Sequence, residues 1–360
     1  MSGFLGMLFA GGSAGGLPPV TPSSYIAFGG ATPAKRILVY NWDSATGFGS
    51  LFTTPSIANS ILQVSFVRDN SVFSAAFSAA PYFNVWQWSG LGFGTQYANP
   101  ASTLNPASAG PPGVTWTNNV DAMLSLNSLA PLYPQAWAWS QASGFGTKYS
   151  NGSLFSASGG ASGLTLNGDN TQVAFSHSAS PNISLYPWSS TTGFGTKYAN
   201  PVALPPGASN YASITFNLTT NDVAIGSVLS PYIAAYPVTS AGFGAKYSNP
   251  SSAIGGTVSA VRFAPNGSAI AFGNNATPAA LKVYQWGSGF GSLYASPSIT
   301  STVYAVDWSS TGTEIVGAIP SVSPYARVYA WTPTGFGAQY SNPATAPGVP
   351  TSVSFSNQTR

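Results

Sequence analysis

The chain has 360 residues, with 10 Lys and Arg against 7 Asp and Glu, a formal charge of +3 and only 5% charged residues, where soluble domains average about 25%. So thin a spread of charge argues against a nucleic-acid surface, whose mark is clustered Lys and Arg, and a content of 44% hydrophobic and 14% aromatic residues excludes a disordered chain. No run approaches the roughly 18 to 20 apolar residues of a membrane-spanning helix, which argues against membrane insertion; the absence of cysteine excludes disulfides and thiolate metal sites.

Residues 1–22 read as an apolar, Gly-rich arm, and residues 23–360 as one repeat domain. Phe4 to Ala10 is apolar and small residues follow, as in a signal peptide, but the basic n-region is missing. Phe4, Leu5, Met7, Leu8 and Phe9 can offset the cost of ordering a glycine-rich segment only when buried, so the arm is expected to dock on another subunit.

Gly-Phe-Gly recurs with Phe48, Phe93, Phe145, Phe194, Phe243, Phe290 and Phe336 at its centre, at intervals of 45, 52, 49, 49, 47 and 46 residues. Each copy follows a short aromatic run that ends in Trp42, Trp88, Trp139, Trp188, Trp286 or Trp331, with Val238 in the fifth copy. Four residues beyond each Phe stands Phe52, Tyr97, Tyr149, Tyr198, Tyr247, Tyr294 or Tyr340. Seven fold-equivalent prolines (Pro33, Pro81, Pro131, Pro181, Pro231, Pro278 and Pro324) precede the aromatic runs.

The intervening segments alternate apolar and small polar residues, the pattern of strands. In Val258 to Tyr294, VSAVRF predicts a first strand, Pro265-Asn266-Gly267 a tight turn, AIAFG a second strand, LKVYQW a third and SLYA a short outer strand after Gly-Phe-Gly. Four strands per period of about 45 residues is the blade of a propeller. The first copy has only Tyr25 to Phe28 and Ile37 to Trp42 before its motif, while Thr351 to Phe355 (TSVSF) is left over at the other end. The expected fold is therefore all-β: a seven-bladed β-propeller of four-stranded blades, its ring closed by the C-terminal strand joining the N-terminal blade.

VRFAPNGSAIAFG followed by LKVYQW, and VDWSSTGTEIVGA followed by RVYAW, resemble the WD40-like propellers over residues 23–358. The pattern departs from that family in having no Gly-His pair and one Trp-Asp, Trp42-Asp43, which implies that the family's buried hydrogen-bonded network is missing. SPYIAAYPVTSAGFGAKYSNP and SPNISLYPWSSTTGFGTKYANP are similar to Gly-Phe-Gly repeats of tailed-bacteriophage propellers, a resemblance that implies a virion component.

Gly-Phe-Gly lacks the further glycines, helix and Lys of a phosphate loop, so the glycines are expected to make a turn and the seven Phe side chains to be buried as packing elements. The Trp positions are likewise expected to pack between blades, with sugar stacking as the alternative. Asp69, Asp121, Asp169 and Asp222 fall in turns between first and second strands, where Asp favours turn geometry. Asp307 is placed on an innermost strand and Glu314 in the next turn, both without a partner in the sequence. His177 is the single histidine and is expected to be structural. Lys148, Lys197 and Lys246 precede Tyr in three successive copies; they read as edge protection or as a basic stripe for an anionic partner.

Together these readings lead to a non-catalytic virion protein, a tail nozzle or hub element or a head-surface decoration, with a carbohydrate-binding propeller for host attachment as the alternative. No catalytic residue, cofactor or metal is expected. The expected partners are other virion proteins, through the arm, and a host glycan, with no nucleic acid; the expected location is the virion.

Overall fold

A computed structural model describes residues 24–32, 36–100, 113–126, 134–153, 160–207 and 213–356. The arm, with Phe4, Leu5, Met7, Leu8 and Phe9, lies outside the described residues. Every regular element described is a strand, and the strands form seven four-stranded antiparallel sheets. The molecule is a seven-bladed β-propeller. Among the described residues no helix is long and apolar enough to cross a membrane.

Six blades take their four strands consecutively, with innermost strands Ile61–Phe66, Val114–Trp116, Ala161–Leu166, Ile214–Phe216, Val258–Phe263 and Ala305–Trp308 in blades 2 to 7. Blade 1 orders Pro350–Phe355, Ser24–Gly30, Ile37–Asp43 and Gly47–Leu51 from the centre outward. Ile26 pairs with Phe355 and Phe28 with Val353, and the closure is locked by Tyr25 N–H donating to Ser356 Oγ at 2.7 Å and Ser356 N–H to the Tyr25 carbonyl at 2.9 Å. Closing the ring pairs an edge that would otherwise template aggregation.

Burial changes radially because each blade is sandwiched between two others. The second strands Val72–Phe77, Gln172–His177 and Ala269–Asn274 are buried along their whole length, whereas the outer strand Gly92–Gln96 is largely exposed. Each of the seven seams between blades carries its own apolar cluster, such as Ala27, Val39, Val64 and Phe73 between blades 1 and 2.

The outer strands begin on Gly-Phe-Gly itself, not after it, as Gly47–Leu51, Gly92–Gln96 and Gly144–Lys148 illustrate. The seven Phe rings are half-buried. In six blades they meet the third-strand Trp edge-on with centroids 4.8–5.1 Å apart, and Phe243 meets Tyr236 at 5.6 Å. Such pairs contribute about 0.5–1.5 kcal/mol beyond area burial. The first glycine of every motif has a positive φ, from +77° to +127°, and a Cβ there would stand 3.0–3.2 Å from the aromatic side chain four residues beyond the previous blade's Phe. Only glycine meets both demands. The hydroxyls of Tyr97 and Tyr340 extend the contact by donating to the Gln141 and Ser44 carbonyls of the next blade at 2.8 and 2.6 Å.

The expected absence of a buried polar network is corrected at one seam. Asp222 opens the second strand Asp222–Gly226 instead of sitting in the turn, is buried, and accepts from Trp286 Nε1 of blade 6 and from the Tyr247 hydroxyl. Asp69 and Asp169 do anchor their turns, each accepting from the backbone N–H two residues on, and Asp121 accepts from the Thr117 hydroxyl at 2.6 Å. Where Trp is replaced by Val238, the facing position is Gln172, whose longer side chain donates to the Thr239 carbonyl at 2.7 Å. Glu314 opens the buried strand Glu314–Ala318.

Candidate functional site in the central channel

The innermost strands share a three-residue pattern, and their registers place the middle residues at equivalent positions: Ser65, Thr115, Thr165, Thr215, Arg262, Asp307 and Ser354. Five are hydroxyls and two, in adjacent blades, are opposite charges. Because side chains alternate along a strand, the flanking apolar residues go into the seams and this row is shared by all seven blades.

Among the described residues, two chambers lie along the channel. One, of about 80 Å³, is lined by Thr115, Thr165, Thr215, Arg262 and Asp307, with Trp308 and Phe216 nearby. The other, of about 150 Å³, is lined by the beginnings of the innermost strands, including Ser162, Ser213, Ser259 and Ser352. Arg262 and Gln63 border both. Gln63 ties blade 2 to blade 3 by accepting from Val114 N–H at 2.9 Å and donating to the Val114 carbonyl at 3.0 Å. A Cβ on Gly113 would come within 2.4 Å of that amide oxygen, so the local sequence keeps this clasp open.

Arg262 Nε lies 3.8 Å from Asp307 Oδ1, with the Arg side chain 31% and the Asp side chain 3% exposed. The other carboxylate oxygen accepts the Phe355 N–H of blade 1 at 2.9 Å. Arg262 Nη1 donates to the Val261 carbonyl at 3.2 Å, and Trp308 Nε1 donates to the Arg262 carbonyl at 3.3 Å. A guanidinium has five N–H donors, so this one can still meet a negatively charged oxygen. The sequence reading placed Asp307 correctly on an innermost strand but left it unpartnered, and it passed over Arg262. Aligning VSF, VTW, LTL, ITF, VRF, VDW and VSF would have revealed two charges in neighbouring blades.

The remaining candidates lie elsewhere. His177 ends a fully buried strand, its Nε2 is 3.1 Å from Ser184 Oγ, and burial pushes its pKa down to about 4. Lys148 and Lys197 sit in blades 3 and 4 with pKa values lowered by desolvation. Lys148 Nζ stands 5.4 Å from the Trp137 ring, while Lys246 in blade 5 donates to Asn249 at 2.8 Å. The channel brings none of these to Arg262 and Asp307. Among the described residues no cluster of three His, Asp or Glu could hold a metal.

No family model and no curated protein matches the chain. Solved structures do. A candidate 6-phosphogluconolactonase from Bacteroides uniformis aligns with a TM-score of 0.72 at 13% identity, covering 92% of this chain and 99% of its own. One from Bacteroides fragilis aligns at 0.72 and 11%, covering 94% and 99%. The periplasmic gluconolactonase of Pseudomonas aeruginosa aligns at 0.69 and 13%, covering 92% and 99%. At these identities the likeness establishes the propeller fold.

These findings correct the expectation of a non-catalytic virion protein. The similar propellers carry the names of lactonases, and none of the three points to a phage particle or to Gly-Phe-Gly repeats of phages. The sequence reading against an enzyme weighed titratable groups by their spacing along the chain, while the ring gathers one position from each blade and brings Arg262 and Asp307 together. The alternative of sugar stacking finds little free aromatic face, since Trp42, Trp88, Trp139, Trp188 and Trp286 are buried and the half-buried Trp331 packs edge-on against Tyr294, Trp308 and Phe336.

Proposed function

We propose that the chain is a lactonase-type hydrolase that opens a small cyclic ester in the central channel. The observation that carries this reading is the Arg262–Asp307 pair, at 3.8 Å, in a chamber otherwise lined by uncharged hydroxyl, amide and apolar side chains. The names of the similarly folded proteins support it.

In this mechanism Asp307 takes a proton from a channel water as the water oxygen bonds to the lactone carbonyl carbon. The Arg262 guanidinium meets the oxyanion that develops, the role in which fixed donors contribute most to ester chemistry. Collapse of the tetrahedral species breaks the ring C–O bond, and the proton held on Asp307 passes to the departing oxygen. The product is an open hydroxy acid, and the carboxylate of Asp307 is restored. The Phe355 N–H fixes that carboxylate, and the threonine hydroxyls are placed to bond the substrate's own hydroxyls.

The test is proton release from D-glucono-δ-lactone, measured against the spontaneous rate. Turnover is expected, with Asp307→Asn lowering kcat by about 10²–10⁴-fold and Arg262→Met by about 10²–10³-fold, both with unchanged circular dichroism. Hydrolysis no faster than the buffer control across a set of sugar lactones would sink the reading.

A further inference from the structure

We infer that the channel selects an uncharged lactone over its phosphorylated counterpart, an inference that rests on the hydrolase reading and narrows its substrate class. The described residues lining the two chambers include one cation, Arg262, and one carboxylate, Asp307. They form an ion pair at 3.8 Å, so the lining has no net charge. The rest of the polar lining is hydroxyl and amide: Thr115, Thr165, Thr215 and Gln63 on one side, with Ser162, Ser213, Ser259 and Ser352 on the other.

Such a lining suits a neutral polyhydroxylated ring. Hydroxyl groups both donate and accept, and each can exchange a water for a substrate hydroxyl. A phosphate monoester brings close to two negative charges at neutral pH. Burying them without counter-charge is strongly unfavourable, and phosphate sites accordingly rely on Arg forks, Lys or helix N-termini. Here the single guanidinium is already shared between Asp307 and the oxyanion of the reaction. The other described cations, Arg36, Arg68, Lys148, Lys197, Lys246, Lys282 and Arg327, are outside both linings. The same neutrality aids turnover, because the product is a carboxylate and the chamber offers it no unshared positive charge.

The experiment compares D-glucono-δ-lactone with its 6-phospho form on the intact protein, alongside calorimetric titration with inorganic phosphate and 6-phosphogluconate. The neutral lactone is expected to have a kcat/KM higher by about 100-fold, and neither phosphate compound should bind saturably at millimolar concentration. Thr165→Lys, which adds an unpaired cation to the chamber, should shift the ratio toward the phosphorylated lactone by about tenfold or more. Preference of the native protein for the phosphorylated lactone would overturn the inference while leaving the hydrolase reading intact. Saturable phosphate binding that Arg262→Met abolishes would overturn it even if no lactone were turned over. Failure to hydrolyse either lactone would overturn the hydrolase reading and this inference with it.

Discussion

The indole Nε1 of Trp286 donates to Asp222 Oδ2 at 3.0 Å across the seam between blades 5 and 6. The Tyr247 hydroxyl takes the other carboxylate oxygen at 2.8 Å, and Thr220 Oγ1 also donates to Asp222. Burial and this hydrogen bond to the carboxylate push the Tyr247 pKa up to about 12. Asp222→Ala would strand a buried indole N–H and a phenol, at a cost of about 1–3 kcal/mol. Chemical denaturation should register that loss, with altered Trp286 emission; an unchanged midpoint would show the latch to be energetically idle.

The fifth copy of the repeat tests compensation. Val238 and Gln172 stand where Trp286 and the shorter Asp222 meet at the next seam, and the Gln172 amide also accepts from Asn221 Nδ2 at 3.1 Å. Val238→Trp alone should cost about 1–3 kcal/mol by overpacking. Adding Gln172→Ala should recover part of it, so the two changes should be non-additive in a double-mutant cycle. Simple additivity would mean that the side chains do not share the space.

Gly193 has φ +81° and a Cβ there would lie 3.2 Å from Tyr149, while Gly287 has no heavy atom within 4 Å of that point. Gly193→Ala should therefore lower stability by about 1–3 kcal/mol, whereas Gly287→Ala should be close to neutral. Equal melting temperatures for the two variants would contradict the seam role of the motif's first glycine.

His177 has a pKa near 4 in the fold because burial disfavours its charged form, against about 6.5 in an unfolded chain. The unfolded state therefore binds the proton first as the pH drops. This contribution to stability is whole above about pH 6.5 and is lost between there and pH 4, to the extent of about 3 kcal/mol. Denaturation midpoints should fall through that window, and His177→Gln should flatten the decline. A native midpoint independent of pH from 7 to 4 would rule out the neutral buried imidazole.

Removing residues 350–356 takes away the innermost strand of blade 1 and exposes the edge of Ser24–Gly30. The truncated protein should melt at a lower temperature and aggregate as it does so. An unchanged melting temperature would mean that the ring does not depend on its closing strand.

The sequence made the ring legible because seven copies of Gly-Phe-Gly mark every blade and the unmatched ends at Tyr25 and Phe355 leave one way to close it. It was less informative about Gly-Phe-Gly itself: the motif resembles a turn, but its first glycine yields to an aromatic ring about 45 residues earlier in the chain, a relation that local pattern cannot express. Asp222 was read as a turn former because Asp69 and Asp169 are. The difference lies in Trp286, some sixty residues away. The channel pair was hidden for the same reason, since Arg262 and Asp307 become neighbours only when blades 6 and 7 stand side by side.

Tyr25 and Ser356, which bond to each other at the closure, are separated by 331 positions in the chain. Blade 1 is therefore complete only when the two ends of the described chain meet, and contacts of such long range slow folding. The closing strand also brings the Phe355 N–H that the Asp307 carboxylate accepts. Completion of the circle and anchoring of the channel carboxylate are thus one event, so an open, partly folded chain holds Asp307 without its neighbour and the chemistry of the channel reports on whether the ring has shut.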